Sequence, residues 1–501
     1  MRAGAATLAP LERMMADSDV RTLPVRNPRT GAVDFQLAVS SAEEVAAKAA
    51  RLRGNQPAWA ALPLAGRIDV MRRWLGEVAK RANAIAEADA VDTGGCHTSY
   101  LQGFITMGNI GGWIEDAEAS LARLAFHGPS KAMPSVEVET QLVPYPLVGV
   151  ISPWNAPLML GLLDAVPALF AGCAVLLKPS EVTPRFVEPL FETVAAVPEL
   201  AGVFDYVMGD GRTGQDLIGQ ADLICFTGSV PTGRKVAIAC AERLIPCFLE
   251  LGGKDPVIVT ATADIERATT SVLRGAVHAT GQVCFSIERI YVHESIHDAF
   301  VAMLVEKARA VRLNSDDPRA GHIHPFTFEP QAGIVERHLA DAAAKGARVE
   351  TGGAVETIGG GLYMRPTVVT GVTHDMVVMK DETFGPVLPV MPYRTVDEAV
   401  ALANDTSFGL TASVIAGSAE EAMPIARRLN AGAVFIQDTF LTFGKNRTVG
   451  TSAFGASGLG GSRTGPDSIL RFVRRKALMT QHGEVADIQN DHHLGTGEGK
   501  H

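Results

Sequence analysis

The chain has 501 residues, with 45 basic and 55 acidic side chains, and its formal net charge at pH 7 is −10. A chain of this length is long enough for two or three domains and buries enough surface to fold without disulfides or metals. Because nucleic-acid and anionic-membrane binders need a concentrated basic face, the acidic balance disfavours both kinds of partner. The six cysteines form no Cys-x-x-Cys pair, which excludes a disulfide scaffold and the usual structural zinc sites.

The sequence predicts a protein of the cytoplasm. Residues 1–20 carry five charged side chains and no continuous apolar core, so they do not resemble a secretory signal. Residues 140–163 contain no Asp, Glu, Lys or Arg, and the stretch is long enough to span a bilayer. Four prolines interrupt it, however, and in lipid they would leave backbone groups without hydrogen-bond partners. We therefore expect a buried strand, a loop and a buried helix there, and no membrane partner.

Helix signals come first along the chain. Ser40 and Ser41 precede Glu43 and Glu44 with the spacing of a capping box, which predicts the start of a helix. Apolar residues then recur at steps of three and four over residues 68–85, as they do on one face of a helix.

From residue 147 onward, short apolar runs alternate with segments long enough for helices. This rhythm is typical of buried parallel strands joined by crossover helices, and two such series in succession predict an α/β protein. Residues 482–501 lack apolar periodicity and are predicted to form a disordered tail. The predicted strands are residues 147–152, 173–177, 203–208, 223–226, 256–260 and 289–293, and the predicted helices between and after the last two are residues 264–279 and 296–311.

Cys284 and Glu250 are candidates for a nucleophile and a base. Cys284 follows a glycine-led turn that can expose a thiol, although most cysteines in such a chain are inert and buried. Glu250 has apolar neighbours at the end of a predicted strand, where desolvation raises the pKa of a carboxyl group toward the range of a general base. A lone glutamate is more often a surface residue or part of a salt bridge.

Three polar residues follow predicted strands. Asn155 lies in a loop with a proline on each side, and its amide is a candidate oxyanion donor worth about 3 kcal/mol, although an ordinary turn asparagine is the commoner case. Lys178 and Glu181 stand at the carboxyl end of a strand, where open α/β sheets bind ligands. A solvated surface pair is the alternative interpretation.

Two turns are weaker candidates. The turn containing Gly228 and Gly233 ends a strand and starts a helix, but its spacing is not Gly-x-Gly-x-x-Gly and it lacks the Walker lysine. Glu382 and Phe384 lie on a turn followed by Gly-Pro, which in isolation is an ordinary loop.

In order and approximate spacing, these residues together resemble the aldehyde dehydrogenase superfamily over about residues 25–480. The resemblance extends to Asn-Pro-Arg-Thr-Gly at 27–31, Trp-Ala-Ala-Leu-Pro-Leu at 59–64 and Ser-Phe-Gly-Leu at 407–410. It implies a Rossmann-like NAD-binding domain, an α/β catalytic domain and a small β-flap for oligomerisation. The expected boundaries are 1–125 with 146–250 for the NAD-binding domain, 251–450 for the catalytic domain, and 126–145 with 465–481 for the flap.

The resemblance also implies catalytic roles. Cys284 is the expected nucleophile, and Asn155 with the backbone N–H of Cys284 is expected to hold the oxyanion. Glu250 is expected to activate the water that releases the carboxylic acid from a thioester. The presence of Glu250 favours hydrolysis over acyl transfer to coenzyme A, which is one rival reaction. A catalytically silent homologue is another rival, and it is disfavoured because all three residues are present.

The resemblance further implies a nicotinamide cofactor and no metal. Lys178 and Glu181 are the expected contacts of the adenosine ribose, and Ser229 is expected to face the pyrophosphate. Glu181 favours NAD, because a carboxylate binds a ribose hydroxyl but repels a 2′-phosphate, with NADP as the alternative. The residues expected at the nicotinamide end are Trp154, Glu382 and Phe384.

The substrate is expected to be a small-molecule aldehyde that enters past residues 438–452. Phe440 and Phe443 favour an apolar or aromatic aldehyde, whereas Lys445 and Arg447 suit an aldehyde that carries a carboxylate. We expect the first, because charges on a loop are usually solvated. Residues 284–289, Cys-Phe-Ser-Ile-Glu-Arg, resemble succinate-semialdehyde dehydrogenases and keep the second open.

One departure from the family pattern affects this loop. Where relatives read close to Phe-Gly-Gly-x-Lys-x-Ser-Gly, residues 454–461 read Phe-Gly-Ala-Ser-Gly-Leu-Gly-Gly. Relatives also associate through the flap, so the resemblance implies a homodimer or homotetramer.

Overall fold

The computed structural model describes residues 21–445, 447–485 and 488. The expectation for residues 1–20 and most of the expected tail, 486–487 and 489–501, lie outside the described residues. None of the helices within the described residues combines the length and the apolar character that crossing a membrane requires.

The elements up to residue 251 begin with a hairpin and three helices and continue as alternating strands and helices. The strands are β1 (Thr22–Arg26), β2 (Val33–Ala38), β3 (His127–Pro129), β4 (Val136–Pro144), β5 (Leu147–Ile151), β6 (Ala174–Lys178), β7 (Phe204–Tyr206), β8 (Leu223–Thr227) and β9 (Cys247–Glu250). The helices are α1 (Ala42–Ala61), α2 (Leu64–Thr93), α3 (Cys96–Ala122), α4 (Pro157–Ala171), α5 (Val187–Ala195), α6 (Pro198–Ala201), α7 (Gly211–Gln220) and α8 (Val230–Glu242).

The elements after residue 251 form a second α/β series and then return to the first. The strands are β10 (Asp255–Val259), β11 (Ile287–His293), β12 (Arg348–Thr351), β13 (Val355–Ile358), β14 (Gly361–Met364), β15 (Thr367–Thr370), β16 (Val387–Tyr393), β17 (Phe408–Gly409), β18 (Thr411–Ile415), β19 (Ala433–Ile436), β20 (Phe454–Gly455), β21 (Gly458–Leu459) and β22 (Val473–Gln481). The helices are α9 (Ile265–Val277), α10 (Glu294–Ala310), α11 (Glu329–Ala344), α12 (Val377–Lys380), α13 (Val396–Asn404) and α14 (Ala419–Ala426), and short 3-10 helices cover His278–Gly281, Thr442–Lys445 and Pro466–Phe472.

The first large sheet has the strand order β21-β9-β8-β5-β6-β7. Its strands are parallel except for β21, which pairs antiparallel with β9. Every residue of β5, β6 and β8 is buried, as expected for apolar strands covered by helices on both faces. Helix α4 has a proline in its first turn and ends at Gly172, which adopts a left-handed φ of 101°.

The second large sheet has the strand order β12-β15-β16-β11-β10-β18-β19 and is parallel except at β12. Two separate groups of buried apolar side chains pack around it, whereas the first sheet is enclosed by a single group that also includes Ile469 and Phe472 from near the end of the chain. The predicted α/β fold class is confirmed by these two sheets.

A third sheet, with the order β22-β4-β3, is antiparallel and smaller. Strand β22 pairs with β4 through nine residues, from Val473 opposite Pro144 to Gln481 opposite Val136. Eight of the nine residues of β22 are exposed, and β22 lies at the edge of this sheet. The domain and flap boundaries stay predictions.

Local signals placed several elements well. Ser41 caps helix α1 by accepting a hydrogen bond from the backbone N–H of Glu44 at 3.2 Å, which confirms the predicted helix start. Residues 140–163 contain the end of β4, strand β5, a loop and the start of α4, as expected for a buried segment.

Candidate active site

A cavity of about 950 Å³ opens at the carboxyl ends of β5, β6 and β8. It brings together eight of the nine residues singled out in the sequence. Glu250 does not line the cavity itself, although its neighbours Leu251 and Gly252 do. The predicted site residues that line it are Trp154, Asn155, Lys178, Glu181, Ser229, Cys284, Glu382 and Phe384.

Cys284 lies in a loop between the 3-10 turn His278–Gly281 and strand β11. In this turn Ala279 and Thr280 adopt left-handed φ values of 51° and 61°, which are uncommon for residues other than glycine and cluster at functional sites. The hydroxyl of Thr280 donates a hydrogen bond to the backbone carbonyl of His324 at 2.7 Å. The segment before Cys284 is therefore held in an unusual conformation by the chain beside it.

The side chain of Asn155 reaches this same loop. Its amide nitrogen donates a hydrogen bond to the backbone carbonyl of Gln282 at 2.9 Å, two residues before Cys284. An amide has two N–H groups, and this bond uses one of them. The arrangement places an amide donor next to the cysteine loop.

The thiol of Cys284 is protonated at neutral pH in the ligand-free structure. Burial raises its pKa to about 12, and the nearby carboxyl groups of Glu382, Asp255 and Glu250 add to the increase. Attack on a carbonyl carbon requires the thiolate, so a role as nucleophile would require a change in the surroundings of this thiol.

Glu250 is the last residue of β9, where it lies opposite Thr227 of β8 and Gly458 of β21. Burial raises the pKa of its carboxyl group, the guanidinium of Arg463 opposes this increase, and the carboxylate of Asp164 adds to it. A carboxyl group with a raised pKa is suited to accept a proton from water near neutral pH.

Two arginines from the end of the chain surround the buried Asp164 on helix α4. Arg463 donates hydrogen bonds to both oxygens of the Asp164 carboxylate and to the hydroxyl of Thr227. Arg471 donates to the Asp164 carboxylate at 2.8 Å. Burial opposes ionisation of Asp164, but the two arginines outweigh it and lower its pKa. Sequence analysis missed this group, although Asp164 is the single charged residue of α4 and so called for a partner.

Of the two cations in the loop at 438–452, Lys445 lies within electrostatic range of Glu250 and Cys284. Burial lowers the pKa of Lys445, while the charges of Glu250 and Cys284 act in the opposite direction. Arg447 instead forms an ion pair with Asp116 at 2.8 Å.

Aromatic rings pack against the residue that follows Cys284. The ring of Phe285 lies 5.4 Å from that of Phe440 and 6.1 Å from that of Phe443, and the latter two rings are 5.8 Å apart. The centres of the His278 and Phe440 rings are 4.7 Å apart. We call Phe285, Phe440, Phe443 and His278 the aromatic cluster.

At the far end of the cavity Lys178 and Glu181 form a pair. The ammonium group of Lys178, which is almost fully buried, donates to the carbonyl of Pro179 at 3.0 Å and to Glu181 at 3.3 Å. Burial lowers the pKa of Lys178, and Glu181 opposes that change. Ser229 occupies the N-cap position of α8, whose first turn has no side-chain cap, and its hydroxyl donates to Thr232.

Glu382 and Phe384 lie near Trp154 and Cys284 in the cavity lining. Burial raises the pKa of Glu382 to about 8, and its carboxylate accepts the backbone N–H of Gly253 at 3.1 Å. The ring of Phe384 meets that of Trp154 edge-on at 5.4 Å. A Cβ at Gly252 would lie only 2.4 Å from the Glu382 carboxylate, so a larger residue there would displace this carboxylate.

A buried network that sequence analysis missed holds the Glu382–Phe384 turn. The carboxylate of Glu288 accepts the backbone N–H groups of Thr383 at 2.7 Å and Phe384 at 2.8 Å. Lys254 in turn donates to Glu288 at 2.6 Å and to the hydroxyl of Thr383 at 3.0 Å. The signal was present, because two adjacent charged residues, Glu288 and Arg289, in the buried strand β11 imply buried partners.

The cavity fits an elongated dinucleotide. Its volume lies in the range of ligand pockets, and a helix N-terminus without a side-chain cap offers free backbone N–H groups to phosphates. The pair Lys178 and Glu181 offers a donor and acceptors for a ribose diol, and Glu382 offers acceptors at the other end.

Comparison with known proteins gives a consistent result. The family model described as "Aldehyde dehydrogenase family" matches residues 14–478. A relative from Mycolicibacterium smegmatis, named "Putative succinate-semialdehyde dehydrogenase [NADP(+)]", is 37% identical over 95% of this chain and 92% of its own length.

Solved structures agree. "Putative Aldehyde Dehydrogenase PutA" from Anabaena variabilis superposes with a TM-score of 0.90 at 46% identity, over 93% of this chain and 99% of that chain. Betaine aldehyde dehydrogenase from Staphylococcus aureus, in complex with NAD+, gives a TM-score of 0.85 at 27% identity, over 93% of each chain. The chain belongs to the aldehyde dehydrogenase family and is an oxidoreductase that acts on aldehydes.

Proposed function

We propose that this protein oxidises an aldehyde to a carboxylic acid, with Cys284 as nucleophile, Glu250 as base and Asn155 as oxyanion donor. The observation that carries the proposal is the meeting of the Asn155 amide and the Cys284 loop at one end of a dinucleotide-sized cavity. A thiol and an amide donor on either side of a carbonyl are what acyl chemistry through cysteine requires.

Cys284, Asn155 and Glu250 have separate roles in the proposed reaction. The Cys284 thiolate adds to the aldehyde carbon, and the negative charge that develops on oxygen is stabilised by the Asn155 amide and the backbone N–H of Cys284. The bound nicotinamide supplies the hydride acceptor that makes the step an oxidation. Glu250 then takes a proton from water, which attacks the thioester carbon, and the acid leaves as the Cys284 thiol is restored.

The cofactor is a nicotinamide dinucleotide, NAD with NADP as the alternative. Lys178 and Glu181 would hold the adenosine ribose, Ser229 would lie beside the pyrophosphate, and Glu382 would hold the other ribose. The Glu181 carboxylate favours NAD over a cofactor with a 2′-phosphate. Both cofactors occur among the similar proteins: the Staphylococcus aureus structure is in complex with NAD+, and the Mycolicibacterium smegmatis relative has NADP(+) in its name.

We propose an apolar or aromatic aldehyde as the substrate. The aromatic cluster packs directly beside Cys284 through Phe285, and its rings offer an apolar surface to the body of a substrate. Arg447, one of the two cations in the loop at 438–452, forms an ion pair with Asp116 and is therefore less available to a carboxylate on the substrate.

A substrate bearing a carboxylate is a second candidate, and Lys445 is the observation that favours it. Its ammonium group is partly buried within range of the Glu250 and Cys284 charges. The name of the 37% identical relative points the same way. Against this candidate, Lys445 already has a carboxylate close by in Glu250.

An aldehyde panel tests both the reaction and the substrate class. Purified protein with NAD or NADP is incubated with benzaldehyde, hexanal or succinate semialdehyde, and reduced cofactor is followed by absorbance. We expect kcat/KM to be highest for benzaldehyde or hexanal, and highest for succinate semialdehyde if the second candidate is correct. A Cys284→Ala variant should be inactive. Absence of turnover with every aldehyde and both cofactors would contradict the proposed reaction.

We also propose that the protein forms a homodimer or homotetramer through the β22-β4-β3 sheet. Strand β22 is a long edge strand with exposed residues, and such edges are usually paired or protected. The cytoplasmic location stays a prediction.

A further inference from the structure

A second cavity, of about 580 Å³, lies outside the lining of the cofactor cavity. Its walls come from the N-terminus of α3, one face of α9, the end of α10 and the chain between residues 311 and 324. No residue lines both cavities. We call it the basic cavity, because Arg274, Lys307 and Arg319 line it together with four histidines, His97, His278, His322 and His324.

The charged residues that line the basic cavity are all basic. Among the described residues that line it, none is aspartate or glutamate. Two acids outside the lining reach its cations: Glu266 pairs with Lys307 at 2.8 Å, and Glu87 approaches the exposed Arg319 at 3.7 Å. Arg274 lies over the Phe440 ring at 4.6 Å, and no carboxylate of the described part of the chain forms an ion pair with it.

One further feature of the basic cavity suits an anionic group, and another offers an acceptor to a hydrogen-bond donor on the rest of the ligand. Gly95 is the N-cap of the 27-residue helix α3 and provides no side-chain cap, so the helix dipole adds positive potential there. The ring of the buried His324 donates from Nδ1 to the carbonyl of Pro325 at 2.9 Å, while its Nε2 has no partner among the described residues. Burial lowers the pKa of His324 to about 4, so Nε2 is an unpaired acceptor at neutral pH.

Apolar residues complete the lining and indicate the rest of the ligand. Leu273, Val277 and Val311 lie between the cations. A small inorganic ion would leave most of 580 Å³ unfilled, whereas an apolar body with a charged head would contact both kinds of wall.

We propose that the basic cavity is a second ligand site that binds an organic anion, with an apolar body and a carboxylate or phosphate head held by Arg274 and Arg319. The ammonium of Lys307 donates to the carbonyl and carboxylate of Glu266 and to the hydroxyl of Thr270, so this residue does not hold the head group directly. Carboxylate and phosphate groups both accept paired hydrogen bonds from a guanidinium, so the basic lining favours either head group over a neutral one. The site adjoins the reaction centre, because His278 and Ala279 line it and begin the turn that leads to Cys284.

Calorimetric titration of the ligand-free full chain tests this site without relying on turnover. The probes are 4-hydroxybenzoate, phenyl phosphate and the neutral benzyl alcohol, each at low and at moderate salt. We expect at least one anion to bind, more weakly as salt rises, and the alcohol not to bind measurably. The preferred anion identifies the head group as carboxylate or phosphate.

Variants locate the binding. Arg274→Gln and Arg319→Gln should each weaken the preferred anion about five- to tenfold, through loss of one charged contact. Lys178→Gln, in the cofactor cavity, and Arg348→Gln, on an exposed strand, should leave its affinity unchanged. Thermal unfolding of each variant checks that it is folded. Equal binding of the alcohol, no binding of either anion, or unchanged affinity in both cavity variants would overturn the proposal.

Discussion

The thiol of Cys284 is in surroundings that suppress its ionisation. Burial and three nearby carboxyl groups raise its pKa to about 12, although the guanidinium of Arg463 acts against them. A thiol in this state is protected from chance oxidation and alkylation, because the thiolate is the reactive form. If Cys284 is the nucleophile, its thiol therefore becomes reactive only when its surroundings change.

Alkylation by iodoacetamide should report this pKa. Far below its pKa, the thiolate fraction of a thiol rises about tenfold per pH unit, so labelling of Cys284 should accelerate continuously from pH 7 to pH 10. Cys247 is an internal control, because a hydrogen bond from Cys240 lowers its pKa and its labelling should level off at lower pH. Peptide mass spectrometry separates the two sites. A plateau for Cys284 below pH 9 would show that its thiol is already activated.

Replacement of the base should separate the two halves of the reaction. Glu250→Gln removes the group expected to activate water but retains the nucleophile, so we expect one equivalent of reduced cofactor per site in a burst, followed by turnover at least about a hundredfold slower. Rapid-mixing absorbance measures both phases. Asp69→Asn, an exposed acid on α2, is the matched control and should behave as the wild type. Full steady turnover by Glu250→Gln would exclude Glu250 as the base.

At the scale of single residues, the sequence indicated the candidate site residues but not the side chains that contact them. Cys284, Asn155 and Glu250 stand in recognisable motifs, and desolvation of Glu250 could be inferred from its apolar neighbours. The arginine near it could not be inferred in the same way, because Arg463 lies almost three hundred residues from Asp164 along the chain and reaches it only through the fold. Long-range ion pairs leave no local signal on the second partner.

Among the elements, the α2–α3 pair contains a buried acid that costs stability. Asp89 on α2 is fully buried and accepts hydrogen bonds from Ser99 and Gln102 on α3. Burial raises its pKa to about 7, although the bond from Ser99 opposes that increase. Because the folded protein then binds more protons than the unfolded chain between about pH 4 and pH 7, its stability falls as pH rises through that window.

Asp89→Asn should remove this pH dependence. Between pH 5 and pH 8 the wild type should lose about 3 kcal/mol of stability from this group, because about two pH units of that interval lie below its folded pKa of about 7, and the variant should lose less. Unfolding midpoints at both pH values measure the difference. Asp69→Asn on the exposed face of the same helix is the control. Equal pH dependence in wild type and Asp89→Asn would contradict the assignment.

Elements with a clear local pattern were predictable, whereas those defined by pairing were not. The apolar runs gave β5, β6 and β8 to within two residues, because each is wholly buried. Strand β21 has only two residues, Gly458 and Leu459, and exists because it pairs with β9. No periodicity can reveal so short a strand.

At the scale of the whole molecule, the edge strand β22 bears on assembly. If copies associate through this edge, charges placed on it should separate them, because edge lysines oppose strand pairing. Leu478→Lys with Met479→Lys should lower the mass measured by light scattering, whereas Met423→Lys on helix α14 should not. A wild-type protein that is monomeric, or an edge variant that keeps its full mass, would contradict assembly through β22.

The pairing of β21 with β9 also bears on how the protein is made. During synthesis β9 emerges from the ribosome long before its neighbour β21, and Asp164 emerges long before Arg463 and Arg471. Until those last segments arrive, the strand that ends in Glu250 has an open edge and the buried carboxylate of Asp164 has no counter-ion. We therefore expect the surroundings of Glu250 to be complete only after Arg463 and Arg471 have been synthesised, so that a nascent chain shorter than this is inactive.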